Sequence, residues 1–359
     1  MKLGAFLMPN NPPDRGIAAG HYHNLDYISF IDKLGLSEVW IGEHYTVPRE
    51  PCPSPDLMIA QAILQTENIK LCPGAFILPY HHPAELAHRI AYLDHISNGR
   101  LIVGVGSSGV STDLEMFNVD GAKGENRDMV AESVEIMTRL WESEEPFTYE
   151  GDHWTVNRPG PQINGHFDFW MKPLQKPYPP IAIAGLSPNS PTLVQAGKNG
   201  YIPLSLCLGN LYLQSHWDSV LKGAAMSNLT PDKSTWRVGR DIYVADTDEE
   251  ARDKTVNGFM GDHYREYFLP LFKELGMLDA VKQSPDVPDS DVTVEYLAQH
   301  CWIIGSPSTV KDKLHEMVDS SGGFGTLLSI TYDHLDDMEG WRDGMTALQN
   351  EIMPEFADL

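Results

Sequence analysis

Short runs of apolar and β-branched residues, each closed by Gly or Pro, recur along this chain. Between them lie stretches in which apolar positions return every three or four residues. The short runs predict strands at 2–8, 38–42, 69–78, 101–106, 180–184, 201–205, 236–245 and 325–331. The periodic stretches predict helices: Leu25, Ile28, Ile31 and Leu34 mark 24–35, and an apolar stretch opening at Pro55 marks 55–66. Leu86, Ile90 and Leu93 mark 83–97, and Met129, Val130, Val134, Met137 and Leu140 mark 126–143. Further helices fall near 188–199, 210–226, 247–273, 307–320 and 334–352. This repeated alternation predicts an α/β fold, a (β/α)8 TIM barrel, in preference to an open doubly wound sheet. Its units account for all 359 residues, so 1–359 reads as one domain.

Two stretches break the alternation. Residues 144–179 are rich in aromatics, Gly and Pro, and residues 274–300 are polar and contain Pro. Compact domains rarely carry long irregular excursions except as functional covers. Both are therefore expected to be insertions at the barrel's mouth, one a pocket wall and the other a mobile lid.

Four motifs fall where a predicted strand hands over to a helix: VWIGEHY (39–45), PGAFILPYHHP (73–83), GVGSSG (104–109) and IAGLSPNS (183–190). In a barrel of parallel strands all four loops open on one face, the face that carries chemistry in such barrels. Ser187-Pro188-Asn189-Ser190 reads as a helix start, with Ser as cap and Pro in the first turn. Helix-start amides and the helix dipole suit a phosphate; Ser187 and Ser190 add hydroxyls, and Gly185 lets a ligand approach the backbone. GVGSSGVST (104–112) lacks the full G-x-G-x-x-G pattern of a dinucleotide fold. Its small residues Gly106, Ser107, Ser108 and Gly109 instead suit a second phosphate or ring-edge contact. Arg127, opening the next helix, is either the cation for that anion or a surface arginine near Glu125 and Asp128. His44, at the tip of the second strand, is the candidate general acid or base. Glu43 is expected to orient it or to serve a structural role, because a buried unpaired carboxylate is costly.

Composition narrows the classes. Twenty-six basic against 50 acidic residues give a formal charge of −24, which repels nucleic acid and anionic membrane surfaces. No apolar stretch approaches the ~18–20 residues of a membrane span. The opening MKLGAFLMPNNPP is too short in its apolar part for a signal peptide and reads as the first strand. Cys52, Cys72, Cys207 and Cys301 are widely spaced, which argues against a cysteine zinc site and suggests reduced thiols in a cytoplasm. A metal reading of His21, His23, His81, His82 and Asp333 is disfavoured, because the His-x-His pair lies well past the first strand's end.

The segments LGLSEVWIGEHY, LPYHHP, LDHISNGRLIVGVG, KPLQKPYPPIAIAGLSPNS, WRVGRDIYVADTDEEARD, GSPSTVKDKLHEMVDSSGGFG and the closing IMPEF carry a resemblance. The chain resembles, nearly end to end, the luciferase-like flavin-dependent monooxygenases of the bacterial luciferase family, and within them the limonene-monooxygenase-like branch. The resemblance implies a TIM barrel binding FMN, usually as reduced FMNH2 delivered by a separate NAD(P)H:flavin reductase, with O2 as co-substrate. His44 matches the histidine that luciferase uses in catalysis. Gly74-Ala75 matches the position where members hold a non-proline cis peptide under the flavin. The loop of Gly185, Leu186, Ser187, Asn189 and Ser190 matches a phosphate-binding turn, and Arg127 a phosphate-contacting arginine.

Three positions depart from luciferase and tell against light emission and aldehyde chemistry. Tyr45 stands for a second histidine, Gly106 for a reactive cysteine, and Ser107 for another phosphate-binding arginine. The expected reaction inserts one oxygen atom from O2, via a C4a-peroxyflavin, into a small apolar substrate by epoxidation, hydroxylation or Baeyer–Villiger insertion. Tyr45, Trp154, Phe169, Trp170, Tyr264 or Tyr267, and Trp302 are the candidate pocket aromatics. Two alternatives stay open: F420-dependent hydride transfer on the same barrel, or flavin binding without catalysis. By the same resemblance the protein is expected to be a homodimer.

Overall fold

The computed structural model describes residues 1–206 and 209–357. β1 (Lys2–Leu7) leads into α1 (Ile17–Leu34), β2 (Glu38–Ile41) into α2 (Pro55–Ala62), and β3 (Lys70–Pro73) with β4 (Phe76–Ile77) into α3 (Pro83–Ile96). β5 (Val103–Gly106) precedes α4 (Ser111–Met116) and α5 (Glu125–Glu142). A hairpin of β6 (Phe147–Glu150) and β7 (Thr155–Arg158) follows. Then come β8 (Ile181–Gly185), α6 (Pro191–Asn199), β9 (Ile202–Ser205), α7 (Asn210–Met226) and β10 (Arg237–Val244). β10 runs into α8 (Asp248–Val256), α9 (Phe259–His263), a π-helical turn at Tyr264–Phe268 and α10 (Leu269–Glu274). α11 (Val294–His300), β11 (Ile303–Gly305), α12 (Pro307–Ser321), β12 (Thr326–Ile330) and α13 (Met338–Ala347) complete the order.

The strands pair in the order β3-β2-β1-β12-β10-β9-β8-β5-β4, every pairing parallel. β3 and β4 are two halves of one strand, interrupted by the cis Gly74-Ala75 peptide, so the ring closes on itself. The predicted (β/α)8 barrel is thus the observed fold. Its floor is built from strand beginnings. The Trp40 indole donates to Glu38 at 2.9 Å, and Arg237 binds the same carboxylate at 3.1 and 3.0 Å. Gly104 has no room for a side chain here, since a Cβ would stand 2.2 Å from the Pro73 carbonyl oxygen.

Local chemistry sets the helix ends. Pro55, Pro83, Pro191 and Pro307 open their helices, where a missing N–H costs nothing. Thr247 caps α8 by accepting from the Glu250 amide, and Gly35 closes α1 in the left-handed region at φ 91°.

Several expectations are corrected. α1 starts at Ile17 rather than residue 24, because its first turns face solvent and lack the apolar period. The 144–179 segment is partly regular: its hairpin docks on α5, where Glu132 accepts from the amides of Asp152, His153 and Trp154. Farther on, Gln175 binds Asp94 and the Leu101 carbonyl, so the segment runs along the barrel's flank. The 274–300 segment contains α11 and two 3-10 turns instead of lacking structure. It is tied down by Gly209 N–H to Ala280 O, by the Cys301 thiol to Val281 O, and by Lys282 between Asp279 and Asp289. β11 was not predicted because it has only three residues; it pairs with the far half of β10. Cys52, Cys72 and Cys301 are free thiols, and Cys207 lies outside the described residues.

Candidate active site

The ends of β2, β3, β4 and β5 meet at one rim. A Cβ added at Gly42 would touch the Gly74 carbonyl, and one at Gly106 would lie 3.3 Å from Ala75 Cβ and 3.2 Å from Ile77 Cδ1. The motifs at 39–45, 73–83 and 104–109 are therefore physically joined.

His44 sits on this rim, a quarter exposed, between two carboxylates. Its Nε2 is 3.2 Å from Glu50 Oε2 and its Nδ1 is 3.8 Å from Asp113 Oδ2. Nδ1 is buried without a hydrogen-bond partner. Burial works against the imidazolium, but the charges of Glu50 and Asp113 prevail and raise His44 to about 10. Asp113 loses some solvation, yet the neighbouring His44 imidazolium and hydrogen bonds from Thr46 and the Tyr45 amide hold it at about 2. Glu50 is fully buried and still held below the usual carboxylate range, first by the His44 charge and then by the Tyr267 hydroxyl. At neutral pH the trio is an imidazolium between two carboxylates: it stores a proton instead of accepting one.

Glu43 turns elsewhere: of its two expected roles, orienting His44 or a structural one, its contacts are those of the structural one. Its buried carboxylate accepts from the Tyr45 hydroxyl at 3.0 Å, from His81 Nε2 at 2.8 Å, and from the Ile77 amide at 2.8 Å. Arg89 can only donate to His81 Nδ1, at 3.2 Å, which fixes the Nε2–H tautomer of that ring. Glu43 therefore pins β4, just past the cis peptide, to the β2 tip. Tyr45 stacks edge-on against Tyr80 and Phe117, with centroids 5.5 and 4.8 Å away.

The small-residue turn after β5 is braced from α5. Asn126 donates to the carbonyls of Ser107 and Ser108 at 2.9 and 3.3 Å, and Ser108 takes φ +64°. Ser107 and Ser108 are half-buried, Gly109 is exposed, and nothing lies within 4 Å of a Cβ built on Gly109. Arg127, next to Asn126, is exposed and makes no ion pair among the described residues. After β8, Gly185 is buried, Leu186, Ser187 and Asn189 are exposed, and Ser190 is buried with its hydroxyl 2.8 Å from that of Thr192. Thr192 closes the turn by donating to Ala184 O at 2.7 Å, and Asn189 holds φ +51°.

Comparisons with known proteins can be set beside this geometry. A family model for luciferase-like monooxygenase matches residues 1–323. The chain belongs to that family. It is 33% identical over 362 residues to 2,5-diketocamphane 1,2-monooxygenase 1 of Pseudomonas putida, covering 99% of both chains. It is 30% identical over 331 residues to limonene 1,2-monooxygenase of Rhodococcus erythropolis, covering 91% of this chain and 79% of that one. The solved type II Baeyer–Villiger monooxygenase that forms the oxygenating constituent of 3,6-diketocamphane monooxygenase from the Pseudomonas putida CAM plasmid, in complex with FMN, is 32% identical. Its TM-score is 0.93, covering 99% of this chain and 98% of that chain. The protein is accordingly a flavin-dependent monooxygenase enzyme by family.

Within this luciferase-like barrel the candidate aromatics separate. Trp154 packs edge-on to His82 at 5.2 Å, beside the rim cluster of Tyr80 and Phe117. Tyr264 and Trp302 are fully buried against each other at 5.1 Å, and Tyr264 donates to Asp241 at 2.7 Å. Phe169 packs on His88 and Arg158 along the flank, and Trp170 is 78% exposed, so neither joins the rim group. The scattered histidines have separate partners: His21 meets Gln61, His81 meets Glu43, and Asp333 is paired with Arg15. Glu50, in a loop 6 residues from His44, and Asp113, in the first turn of α4 and 69 residues away, were missed because no local pattern marks them. His263 and His216, both buried, were missed because an interior histidine leaves no periodic signal. No helix among the described residues is long and apolar enough to cross a membrane.

Proposed function

We propose that this chain is the oxygenase component of a two-component system, using reduced FMN and O2 to insert one oxygen atom into a small apolar ketone. The observation that carries the reading is the His44–Glu50–Asp113 trio standing on the same rim as Gly74, Ala75 and Gly106. Reduced FMN, when bound, would supply the two electrons that activate O2, one atom of which enters the substrate while the other leaves as water.

The residues present fit that group. The turns at Gly106–Gly109 and Gly185–Ser190 offer backbone amides and hydroxyls, in left-handed conformations at Ser108 and Asn189 that open such turns to anions. On a chain of formal charge −24, the unpaired exposed guanidinium of Arg127 beside the first turn favours a phosphate there. Gly74, Ala75 and Gly106, where only a hydrogen or a methyl group projects, would leave room for the flat ring. Tyr45, Tyr80, Phe117 and Trp154 wall the rim against water. His44 holds its proton between Glu50 and Asp113, and its positive charge would neutralise negative charge developing on an oxygen in the site.

A ketone is favoured over an alkene because a proton held on imidazolium polarises a carbonyl and does little for an isolated double bond. The Baeyer–Villiger and diketocamphane relatives support the same choice. A separate NAD(P)H:flavin reductase supplies the reduced flavin, a reading supported by a relative, 26% identical over 350 residues, that is named as the oxygenase component of a flavin-dependent trigonelline monooxygenase. The protein acts as a cytoplasmic homodimer; exposed Ile17, Tyr22, Leu57 and Leu64 on and beside α1 and α2 give a second copy an apolar face.

The test is turnover of chemically reduced FMN with a bicyclic ketone under 18O2. A lactone carrying one labelled oxygen is expected. Flavin reoxidation with unlabelled or no product would contradict the reading.

A further inference from the structure

A second buried histidine lies beneath the turn at 186–190. His216, on α7, is fully buried, as are Ser205 at the end of β9 and Trp236 just before β10. The Trp236 indole N–H is 2.9 Å from Ser205 Oγ, Ser205 Oγ is 2.8 Å from His216 Nδ1, and His216 Nε2 is 3.0 Å from the Ser187 carbonyl. Each link has one permitted direction. The indole can only donate and the carbonyl can only accept, so Nε2 carries the proton, Nδ1 accepts from the Ser205 hydroxyl, and Ser205 accepts from Trp236. Burial pushes His216 down to about 4, which keeps the ring in this neutral, single-tautomer form at physiological pH.

The consequence falls on the Ser187–Pro188 peptide. Pro188 has no N–H, so this peptide can present only a carbonyl oxygen. Facing the mouth, that oxygen would repel an anion; bound to His216, it is turned into the protein. The adjacent α7 residue makes the matching contact, with Ser215 Oγ accepting the Asn189 amide at 3.3 Å and donating to Tyr212 O at 2.8 Å. One helical turn of α7 therefore holds the loop from below at two points.

We propose that His216, through Ser205 and Trp236, is the positioning residue that shapes the 186–190 turn for the flavin's phosphate and so sets selectivity for the phosphorylated cofactor over riboflavin. The inference rests on the FMN reading above. It assigns His216 no contact with the flavin and no role in the chemical step.

The experiment measures Kd for FMN and for riboflavin, in wild type, His216→Phe, His216→Gln and Ser205→Ala, with thermal melts to establish folding. Wild type should prefer FMN. His216→Phe removes the donor and strands a buried carbonyl, so FMN affinity should fall about tenfold or more while riboflavin affinity changes less than about twofold. His216→Gln, which can still donate to Ser187, should recover part of the preference, and Ser205→Ala should lose part of it. A wild-type preference that survives in a folded His216→Phe, or an equal loss for both flavins, overturns the role of His216. Should His216→Phe not fold, Ser205→Ala decides by the same ratio. Absence of any wild-type preference overturns the phosphate reading itself, and with it this inference.

Discussion

Glu43 and His44 are adjacent in sequence and belong to different networks: Glu43 fastens β4 and Tyr45, while His44 faces Glu50 and Asp113. Successive side chains at a strand end point to opposite sides, so neighbours in the chain become strangers in the site. The two carboxylates should accordingly fail differently. Glu43→Ala leaves the Ile77 amide and the Tyr45 hydroxyl without an acceptor, and should lower stability by about 2–4 kcal/mol. Glu50→Gln should leave the melting point closer to wild type and act on chemistry. Urea unfolding of both variants checks this pair.

Glu50→Gln removes the charge that first outweighs burial at His44. The imidazolium should then lose its proton at lower pH. In a pH–rate profile the basic limb should move down by at least about one unit, with the acidic limb unchanged. A profile identical to wild type would detach Glu50 from the proton store. His44→Ala should slow turnover by about 100- to 10,000-fold.

His44 also leaves a mark on stability. Its folded value, about 10, lies above its unfolded value of 6.5, so its contribution is complete below 6.5 and is lost as pH rises toward 10. The other side of the profile has a different source. Burial lowers His216 and His263 to about 4 and His334 to about 3, so the unfolded chain binds protons that the native state refuses. Stability should fall as pH drops from 6.5 toward 4, by about 1.4 kcal/mol per unit for each histidine. Urea midpoints at pH 5, 7 and 9.5 should trace a dome, and His263→Phe should flatten its acid side.

Helices α6 and α7 touch through glycine. A Cβ at Gly197 would stand 1.9 Å from Val220 O, and one at Gly223 would stand 1.9 Å from Val194 O. Gly197→Ala should force the helices apart and cost about 1–3 kcal/mol or more. Gly109→Ala, with nothing within 4 Å, should change stability by less than about 0.5 kcal/mol. Thermal denaturation of the two variants separates close approach from mere glycine content.

The barrel was legible because its signals are local. Apolar runs such as Val39–Ile41 and Val103–Val105 and the periods of α3 and α5 survive without tertiary context, and motif position at strand ends located the rim. What escaped was non-local or short. Asp113 reaches His44 only because β2 and β5 flank the same split strand, and β11 becomes a strand only by pairing with β10. Trp170 shows the opposite failure: a large aromatic in an insertion suggests a pocket wall, but the segment's polar anchors to Asp94 and Leu101 carry it along the flank.

A crystal structure of the FMN complex tests the central claim most directly. The account predicts the phosphate within about 3 Å of backbone amides or hydroxyls of the turns at 106–109 and 186–190, and the ring system above Gly74-Ala75 on the side of His44. Flavin bound elsewhere on the molecule, or lodged at this rim with its phosphate pointing away from both turns, would contradict it.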